Sequence, residues 1–173
     1  MYEKTFPNKR FKITLRFLEK HISKSESILD LGVENPFSLI MKNEGFNVKN
    51  TNGEDLDIDF CSLKNNDYKV VTAFEIFEHL LNPFTILKEI KADKILISVP
   101  LRLWFSRAYQ SKSDLRDRHF HEFEDWQLDW LLEKTGWKII DSVQFTNPVK
   151  KFGLRPFLRL FTPRYYLVYA IRK

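Results

Sequence analysis

The sequence has little cysteine and no long apolar run. Its one cysteine, Cys61, cannot form an internal disulfide bond. The longest apolar runs, ILISVPL and YYLVYAI, are far shorter than the roughly 20 residues that a membrane-spanning helix needs. The start, MYEKTFPNKR, lacks the apolar core of a secretory signal. We therefore expect a cytoplasmic protein with no stable membrane insertion.

Neither positive nor negative charge dominates the sequence. The chain has 28 Lys and Arg against 23 Asp and Glu, a net charge of +5 at pH 7. The two signs are mostly interspersed, and neither a nucleic-acid-binding motif nor a helix-long basic stripe is present. This pattern predicts no nucleic-acid partner, although the positive excess favours weak attraction to anionic surfaces or ligands.

The chain does have the composition of a folded domain. Apolar residues make up 43% and aromatic residues 15%. A length of 173 residues suits one hydrophobic core better than two. We expect one domain over residues 1–173, with an accessory helix within 1–24 and a lid or substrate loop at 101–123, where charged and aromatic residues are concentrated.

Strand and helix patterns alternate along the chain, which is typical of parallel sheets covered by helices. They predict a doubly wound, mostly parallel, Rossmann-like α/β sheet with an antiparallel last strand. The second and third strands are too close in sequence to enclose another strand with its helices, so this region of the architecture is abbreviated. Strands are predicted at residues 27–31, 46–51, 68–74, 94–99, 137–145 and 165–171. Helices are predicted at 8–21, around 39–41, at 75–80, around 86–90 and at 125–134. In the helix at 8–21, the pattern predicts that Arg10 faces solvent.

Two acidic features follow predicted strands, where ligands bind in open α/β sheets. The run ILDLG puts the carboxylate of Asp30 at a strand end and Gly32 at a sharp turn. The run NTNGEDLDIDF carries four acids that could hold a ribose diol and an adenine amino group. The plain alternatives are a strand end with a turn glycine and, for the second run, a solvated acidic loop or a site for a hard cation.

Histidines and acids cluster in two further motifs. In FEIFEHLLNPF, the spacing of Glu75, Glu78 and His79 predicts that all three share one helical face. The alternative is a helix N-terminus that favours acids, with a histidine capping a neighbouring backbone. In DRHFHEFEDW, His119 and His121 lie two residues apart. They match no zinc template, so we predict no metal site, and a structural role is the other alternative.

The connection before the last strand, VKKFGLRPFLRLFTPRYY, mixes basic with apolar residues. A lipid-like or anionic ligand would suit such a surface, and the pattern allows peripheral membrane contact. The interpretation that we favour is a crossover whose apolar side packs on the sheet. The residues concerned are Lys150, Lys151, Arg155, Arg159 and Arg164, with Phe152, Leu154, Phe157, Leu160 and Phe161.

Taken together, residues 25–145 resemble class I S-adenosylmethionine-dependent methyltransferases, in particular the bacterial ubiquinone-biosynthesis-like, type 11 or type 12 branch. ILDLG is similar to the first motif of that family, and YKVVTAFEIFEHLLNPF is similar to its fourth strand followed by a Glu-His helix. KILISVP resembles its fifth strand. HFHEFEDWQLDWLLEKTGW resembles a later segment in which a histidine precedes a helix that ends in Gly and an aromatic residue.

The resemblance implies a cofactor, S-adenosylmethionine, with S-adenosylhomocysteine as product, and a small-molecule methyl acceptor. It places Asp30 and Gly32 in the pocket for the cofactor's amino-acid part, and His79 and His119 on the acceptor side. His119, His121 and His79 are the candidates for a catalytic base, because histidine titrates near neutrality. The full set of implied cofactor-binding residues is Asp30, Gly32, Val33, Glu34, Asn52, Asp57, Phe74 and Glu75.

Three departures from the family pattern keep other functions open. Glu34 and Pro36 stand where the family has two more glycines, and Asn52 stands where it has a ribose-binding acid. The side chains at 34 and 36 would push the backbone away from a ligand, and Pro36 removes an amide donor. The alternative is therefore a non-catalytic binding module of this fold. A dinucleotide-binding oxidoreductase is the third interpretation, but the chain lacks the glycine-rich turn that binds a pyrophosphate in such enzymes.

Overall fold

Six strands form one mixed sheet in a computed structural model that describes residues 8–64, 67–114, 117–146 and 153–173. The strands are β1 (Ser27–Asp30), β2 (Asn47–Asn50), β3 (Val70–Phe74), β4 (Lys94–Pro100), β5 (Trp137–Phe145) and β6 (Tyr165–Arg172). Their order in the sheet is β2-β1-β3-β4-β6-β5. The first four run parallel, and β6 is antiparallel to both of its neighbours. The predicted mostly parallel α/β sheet with an antiparallel last strand is confirmed.

Helices cover both faces of this sheet, so it is doubly wound. The helices α1 and α2 pack through Leu18 and Met41 on one face, whereas α3 and α4 pack through Leu87 and Leu128 on the other. The region between β2 and β3 has, in its described part, only a short 3-10 turn, as the abbreviated pattern predicts. The helices are α1 (Asn8–His21), α2 (Pro36–Asn43), α3 (Pro83–Glu89), α4 (Asp125–Lys134) and α5 (Leu154–Phe161).

Burial explains why the central strands read as apolar runs. Every residue of β3 except the last is buried, and every residue of β4 except the first. Strands that are covered on both faces have no polar side to alternate with, which is typical of parallel sheets. The edge strand β5 instead has its buried residues at its two ends and an alternating pattern between them. Because β1 and β3 pair in parallel, their carboxyl ends meet at one edge of the sheet.

The prediction of a helix at residues 75–80 is wrong. Glu75 has a φ of 59°, in the left-handed region, and the chain then forms only a 3-10 turn over Phe77–His79. The next helix, α3, starts after Asn82, whose side chain accepts a hydrogen bond from the backbone of Thr85. The side chains of Glu75 and Glu78 therefore do not share a helical face, and Glu78 is buried.

The interpretation that the last connection packs its apolar side on the sheet is wrong for α5. No residue of this helix is buried, and four of its five Leu and Phe side chains are exposed. Lys150, Lys151 and Phe152 lie outside the described residues. Among the helices of the described ranges, none is both long enough and apolar enough to cross a membrane. The exposed apolar residues of α5 are Leu154, Phe157, Leu160 and Phe161.

Candidate active site

Asp30 ends β1 as a fully buried carboxylate, with 2% of its surface exposed. Burial raises its pKa, and hydrogen bonds partly oppose this shift. The carboxylate joins β1 to β2, α2 and β3, so it is a structural junction as well as a group at the predicted ligand edge. It accepts hydrogen bonds from Thr72 Oγ1 at 2.7 Å, Ser38 Oγ at 2.7 Å and Asn50 Nδ2 at 3.0 Å.

The turn after β1 accommodates both departures from the glycine pattern. Gly32 has a φ of 100°, which only glycine adopts readily, and its amide donates to Thr51 Oγ1 at 2.8 Å. Asn35 then caps α2, and Pro36 occupies the first helical turn, where a missing amide proton costs little. The carboxylate of Glu34 points to Lys42 on the surface. Glu34 and Pro36 thus serve the start of α2.

Glu75 closes a small cavity between the ends of β1 and β3. Its Oε1 accepts a hydrogen bond from Ser98 Oγ at 2.8 Å, and its Oε2 lies 3.1 Å from the guanidinium of Arg10. We call this cavity, with Arg10, Asp30 and Glu75 around it, the edge crevice. Its volume is about 50 Å³, and Phe74 also lines it. Asp30, Phe74 and Glu75 therefore meet as the sequence predicts.

Arg10 is the functional candidate that sequence reasoning missed. The helix pattern of α1 places it among solvent-facing basic residues, but only 15% of its side chain is exposed. Its guanidinium packs over the rings of Phe11 and Tyr165 and reaches Glu75. The only signal in the sequence was its position next to the apolar Phe11. Because α1 lies far from β3 in sequence, this pairing depends on the tertiary fold.

The acidic turn after β2 uses its carboxylates to hold the local backbone. Asp57 accepts from the amides of Leu81 and Asn82 at 2.8 and 2.9 Å. Glu54 accepts from the amide of Asn52 at 2.8 Å and from Ser62 Oγ at 2.7 Å. Asp57 therefore fixes the segment after the 3-10 turn, beside the edge where the adenine part of the cofactor is predicted.

Val33 contacts the same acidic turn from the other side. It is 59% exposed, and a Cβ built on Gly53 would come within 2.6 Å of its Cγ1. A side chain at position 53 would collide with Val33, so the glycine lets the loop after β2 pass close to the loop after β1. Val33 therefore lies against Gly53, the residue after Asn52.

Glu78, His79 and His119 form a second group of polar side chains, called here the histidine cluster. One candidate ligand atom from each lies within 4.8 Å of the others. The rings of His79 and His119 meet edge to face, with centroids 5.2 Å apart. Burial lowers the pKa of His79, whereas burial and then the charge of Glu75 raise the pKa of Glu78 well above its usual value. The two histidines that the resemblance assigns to the acceptor side are therefore in contact with each other.

Backbone hydrogen bonds dock the loop of His119 onto the 3-10 turn. The carbonyl oxygen of Glu78 accepts from the amides of Phe120 and His121, at 2.7 and 3.1 Å. The amide of His119 donates to the carbonyl of Tyr109 at 2.9 Å. These bonds hold the two segments together despite their separation in sequence. They also turn His121 away from the histidine cluster.

His121 instead lines a wide groove between α3 and α4, called here the aromatic groove. The groove has a volume of about 680 Å³. Trp104 and Phe105, from the loop at 101–123, pack on each other and do not line this groove. The aromatic residues that line the groove are Phe84, Phe120, Phe123, Trp126 and Trp130.

Comparison with known proteins places the chain among methyltransferase folds. The family model described as a methyltransferase domain matches residues 2–142. No curated protein sequence matches. A Burkholderia thailandensis 1,6-didemethyltoxoflavin-N1-methyltransferase, solved with its substrate and S-adenosylhomocysteine, is 16% identical, with a TM-score of 0.62 over 94% of this chain and 78% of that chain.

Two further solved structures are similar at comparable distance. An Archaeoglobus fulgidus SAM-dependent methyltransferase is 18% identical, with a TM-score of 0.63 over 95% of this chain and 94% of that one. The Haemonchus contortus phosphoethanolamine N-methyltransferase 2, in complex with S-adenosyl-L-methionine, is 14% identical, with a TM-score of 0.61 over 95% and 52%. At these identities the likeness establishes the fold.

Proposed function

The chain belongs to the methyltransferase domain family, and from this premise we propose that it transfers a methyl group to a small-molecule acceptor. The family match confirms the predicted resemblance to class I methyltransferases, with S-adenosylmethionine as the cofactor. The observation that carries the proposal for this chain is the meeting of Arg10, Asp30 and Glu75 where β1 and β3 end. Ligands of open α/β sheets bind at this edge.

The charges of the edge crevice fit the amino-acid part of the cofactor. That part carries a carboxylate and an ammonium group, which are complementary to the guanidinium of Arg10 and the carboxylate of Glu75. Because the crevice holds only about 50 Å³, far less than the roughly 300–1,000 Å³ of ligand pockets, the Arg10–Glu75 pair has to separate on binding. The ligand would then replace each partner of the pair, so neither charge is left buried alone.

The nucleoside part is proposed to lie along the rim formed by Val33, Asn52 and Asp57. Asp57 already accepts two backbone hydrogen bonds, but a carboxylate has about four lone-pair sites and retains acceptor capacity. Asn52 offers an amide side chain in place of the family's acid. These assignments follow from the resemblance and from the position of the rim beside Gly32.

The chemistry that S-adenosylmethionine supplies is a sulfonium methyl group with an already activated leaving group. The chain's own contribution is to orient the partners and exclude water. An oxygen acceptor also benefits from a base. His119 and His79 suit this role because the Nδ1 of each faces a fixed oxygen, which leaves each Nε2 unprotonated in the neutral ring. His121 remains the third candidate, facing the aromatic groove.

The aromatic groove supports an acceptor with an apolar part. Its volume of about 680 Å³ lies within the usual range for ligand pockets, and five Phe and Trp side chains line it. His121 lines the groove, and its neighbour Phe120 is hydrogen-bonded to Glu78. The groove is thereby linked to the histidine cluster through one short segment. A lipid-like acceptor is the class that we propose.

The exposed helix α5 supports peripheral membrane contact, which a lipid-like acceptor would require. Phe157 and Leu160 are exposed, and Arg155 and Arg159 lie on the same short helix. An apolar face flanked by arginine is typical of helices that lie in the membrane interface. The wild-type protein should sediment together with anionic phosphatidylglycerol vesicles, and Phe157→Ser should lower the fraction of protein that does so. A Lys138→Ser control on β5 should bind as the wild type does.

A calorimetric titration with S-adenosylhomocysteine tests the proposed function. We expect one binding site in the wild-type protein and a loss of at least tenfold in affinity for Glu75→Ala. The matched control is Glu44→Ala, which removes an exposed acid at the end of α2. No heat and no thermal shift with either S-adenosylmethionine or S-adenosylhomocysteine would overturn the proposal in favour of a non-catalytic binding module.

We keep a cytoplasmic location as a proposal that rests on the single cysteine.

A further inference from the structure

We propose that Glu78, His79 and His119 form a binding site for a divalent transition-metal cation on the acceptor side of the fold. Their candidate ligand atoms all lie within 4.8 Å of one another. Two imidazoles and one carboxylate are ligands that Zn²⁺, Fe²⁺ and Mn²⁺ share in proteins. The sequence spacing of His119 and His121 did not predict this site, because the second histidine ligand is His79.

Glu78 supplies the first independent reason for a cation. It is 1% exposed, and among the described residues nothing forms a hydrogen bond with its Oε2. Ionising a buried carboxyl group that has no partner costs much free energy. A cation bound by this carboxyl group would offset the cost of ionising it. The neighbouring Glu75 cannot do so, because it carries the same charge.

The outer nitrogens of the two histidines supply the second reason. The Nδ1 of His79 lies 2.9 Å from the carbonyl oxygen of Arg118, to which it donates. The Nδ1 of His119 lies 3.2 Å from Glu122 Oε1. Metal-binding histidines almost always donate their other ring N–H to a carbonyl or a carboxylate, which fixes the ring and the tautomer. Both rings therefore offer Nε2 to a ligand.

The cluster is close to the dimensions of a metal site before any ion enters. Glu78 Oε1 lies 3.8 Å from His79 Nε2. With metal–ligand bonds of about 2.0–2.2 Å, adjacent ligand atoms lie about 3 Å apart. The Glu78–His79 pair therefore has to approach by about 1 Å, and the most distant pair, within 4.8 Å, by no more than about 2 Å. The hydrogen bonds from Phe120 and His121 to the carbonyl of Glu78 already hold the two segments together. Side-chain rotations can close the remaining distance.

Three protein ligands leave coordination positions for water or substrate oxygens, as in catalytic metal sites. This consequence rests on the proposed function, whereas metal binding itself does not. An acceptor hydroxyl bound at an open position would lose its proton to solvent more readily, because the cation lowers its pKa. His79 and His119 would then be ligands, and the cation would take over the activation that a histidine base otherwise provides.

The experiment is a titration of chelator-treated full-length protein with Co²⁺, followed by absorption spectroscopy and calorimetry, with Zn²⁺ and Mn²⁺ in parallel. We expect one site and visible Co²⁺ bands that are typical of nitrogen and oxygen ligands. Glu78→Gln and His119→Ala should each weaken binding at least tenfold. His121→Ala, two residues from His119 but outside the cluster, should bind as the wild type does.

The titration needs no cofactor, so its result is separate from that of S-adenosylhomocysteine binding. If His119→Ala does not fold, as judged by circular dichroism, Glu122→Gln takes its place and should weaken binding about 10- to 100-fold through the orientation of His119. Absence of Co²⁺, Zn²⁺ and Mn²⁺ binding would overturn the proposal. Binding that is unchanged in the cluster variants, or lost equally in His121→Ala, would also overturn it.

Discussion

The edge crevice and the histidine cluster lie close together after β3, but their buried charges are satisfied in opposite ways. In the crevice, Asp30 accepts three hydrogen bonds and Glu75 has both Ser98 and Arg10. In the cluster, Glu78 Oε2 has no hydrogen-bond partner among the described residues. A ligand has to displace contacts in the crevice, whereas in the cluster it would complete them. The crevice therefore has to open before a ligand binds. In the histidine cluster, the cation that we propose would add a partner without displacing one.

Asp30 is the residue of the edge crevice at which we expect a substitution to have the largest effect. Asp30→Ala removes the acceptor of three hydrogen bonds, two of them from buried donors, and should lower the free energy of unfolding by about 3 kcal/mol. Chemical denaturation at pH 7 measures this loss. The control Thr72→Val removes one of the three hydrogen bonds with little change in shape, and should cost about 1 kcal/mol. Equal losses for the two variants would mean that the carboxylate is not the centre of the network.

Arg10 tests whether opening the crevice is part of binding. If its guanidinium receives the cofactor's carboxylate, Arg10→Ala should weaken S-adenosylhomocysteine binding about 10- to 100-fold, because a charged hydrogen bond is lost. Calorimetry measures the change, and Arg16→Ala, an exposed arginine of the same helix, is the matched control. Tighter binding by Arg10→Ala would instead identify Arg10 as an obstruction, and the fit of the ion pair to the ligand would be wrong.

The sequence predicted the crevice better than the cluster for a physical reason. Parallel strand ends meet at one edge, so the order of β1 and β3 was enough to bring Asp30 and Glu75 together. The contribution of Arg10 was hidden, because a helix pattern shows that a residue lies near an apolar face without showing what packs there. The exposure of α5 was missed for the same reason.

The histidine cluster depended on two features that periodicity does not encode. Glu75 and Glu78 have helical spacing, but the left-handed backbone of Glu75 excludes it from a helix, and Pro83 restricts the residue before it. The buried Phe77 then fixes a 3-10 turn, which directs Glu78 inward. His119 comes from a loop whose docking uses main-chain hydrogen bonds to Glu78, and these are independent of side-chain identity.

The pH dependence of stability offers a smaller test of the crevice. Because burial raises the pKa of Asp30, the folded protein binds its proton more tightly than the unfolded chain does. This contribution is complete below about pH 4, the ordinary Asp value, and is lost as pH rises through the folded-state pKa. The free energy of unfolding of the wild type, relative to Asp30→Asn, should therefore fall as pH rises from about 4 to 7, as denaturation at several pH values would measure.

Asp141 should contribute a pH dependence of stability opposite to that of Asp30, so it is an internal control for that experiment. Its pKa is lowered, chiefly by the hydrogen bond from Lys20 and then by that from His21. Its contribution is therefore present above the ordinary Asp value and is lost as pH falls below about 4. Relative to Asp141→Asn, the wild type should lose stability toward acid. The same pH trend for both aspartates would contradict the burial argument for Asp30.

Glu78→Gln should have the smallest effect on the metal-free protein, and it tests directly whether the fold satisfies this carboxyl group. Burial and the charge of Glu75 already raise the pKa of this carboxyl, and an amide matches the shape of its protonated form. We expect the free energy of unfolding at pH 7 to change by less than about 1 kcal/mol. Glu122→Gln, which weakens contacts with His119 and Arg164, is the control and should cost more. A loss for Glu78→Gln as large as that for Asp30→Ala would mean that the fold already satisfies Glu78, and the contrast between the two sites would disappear.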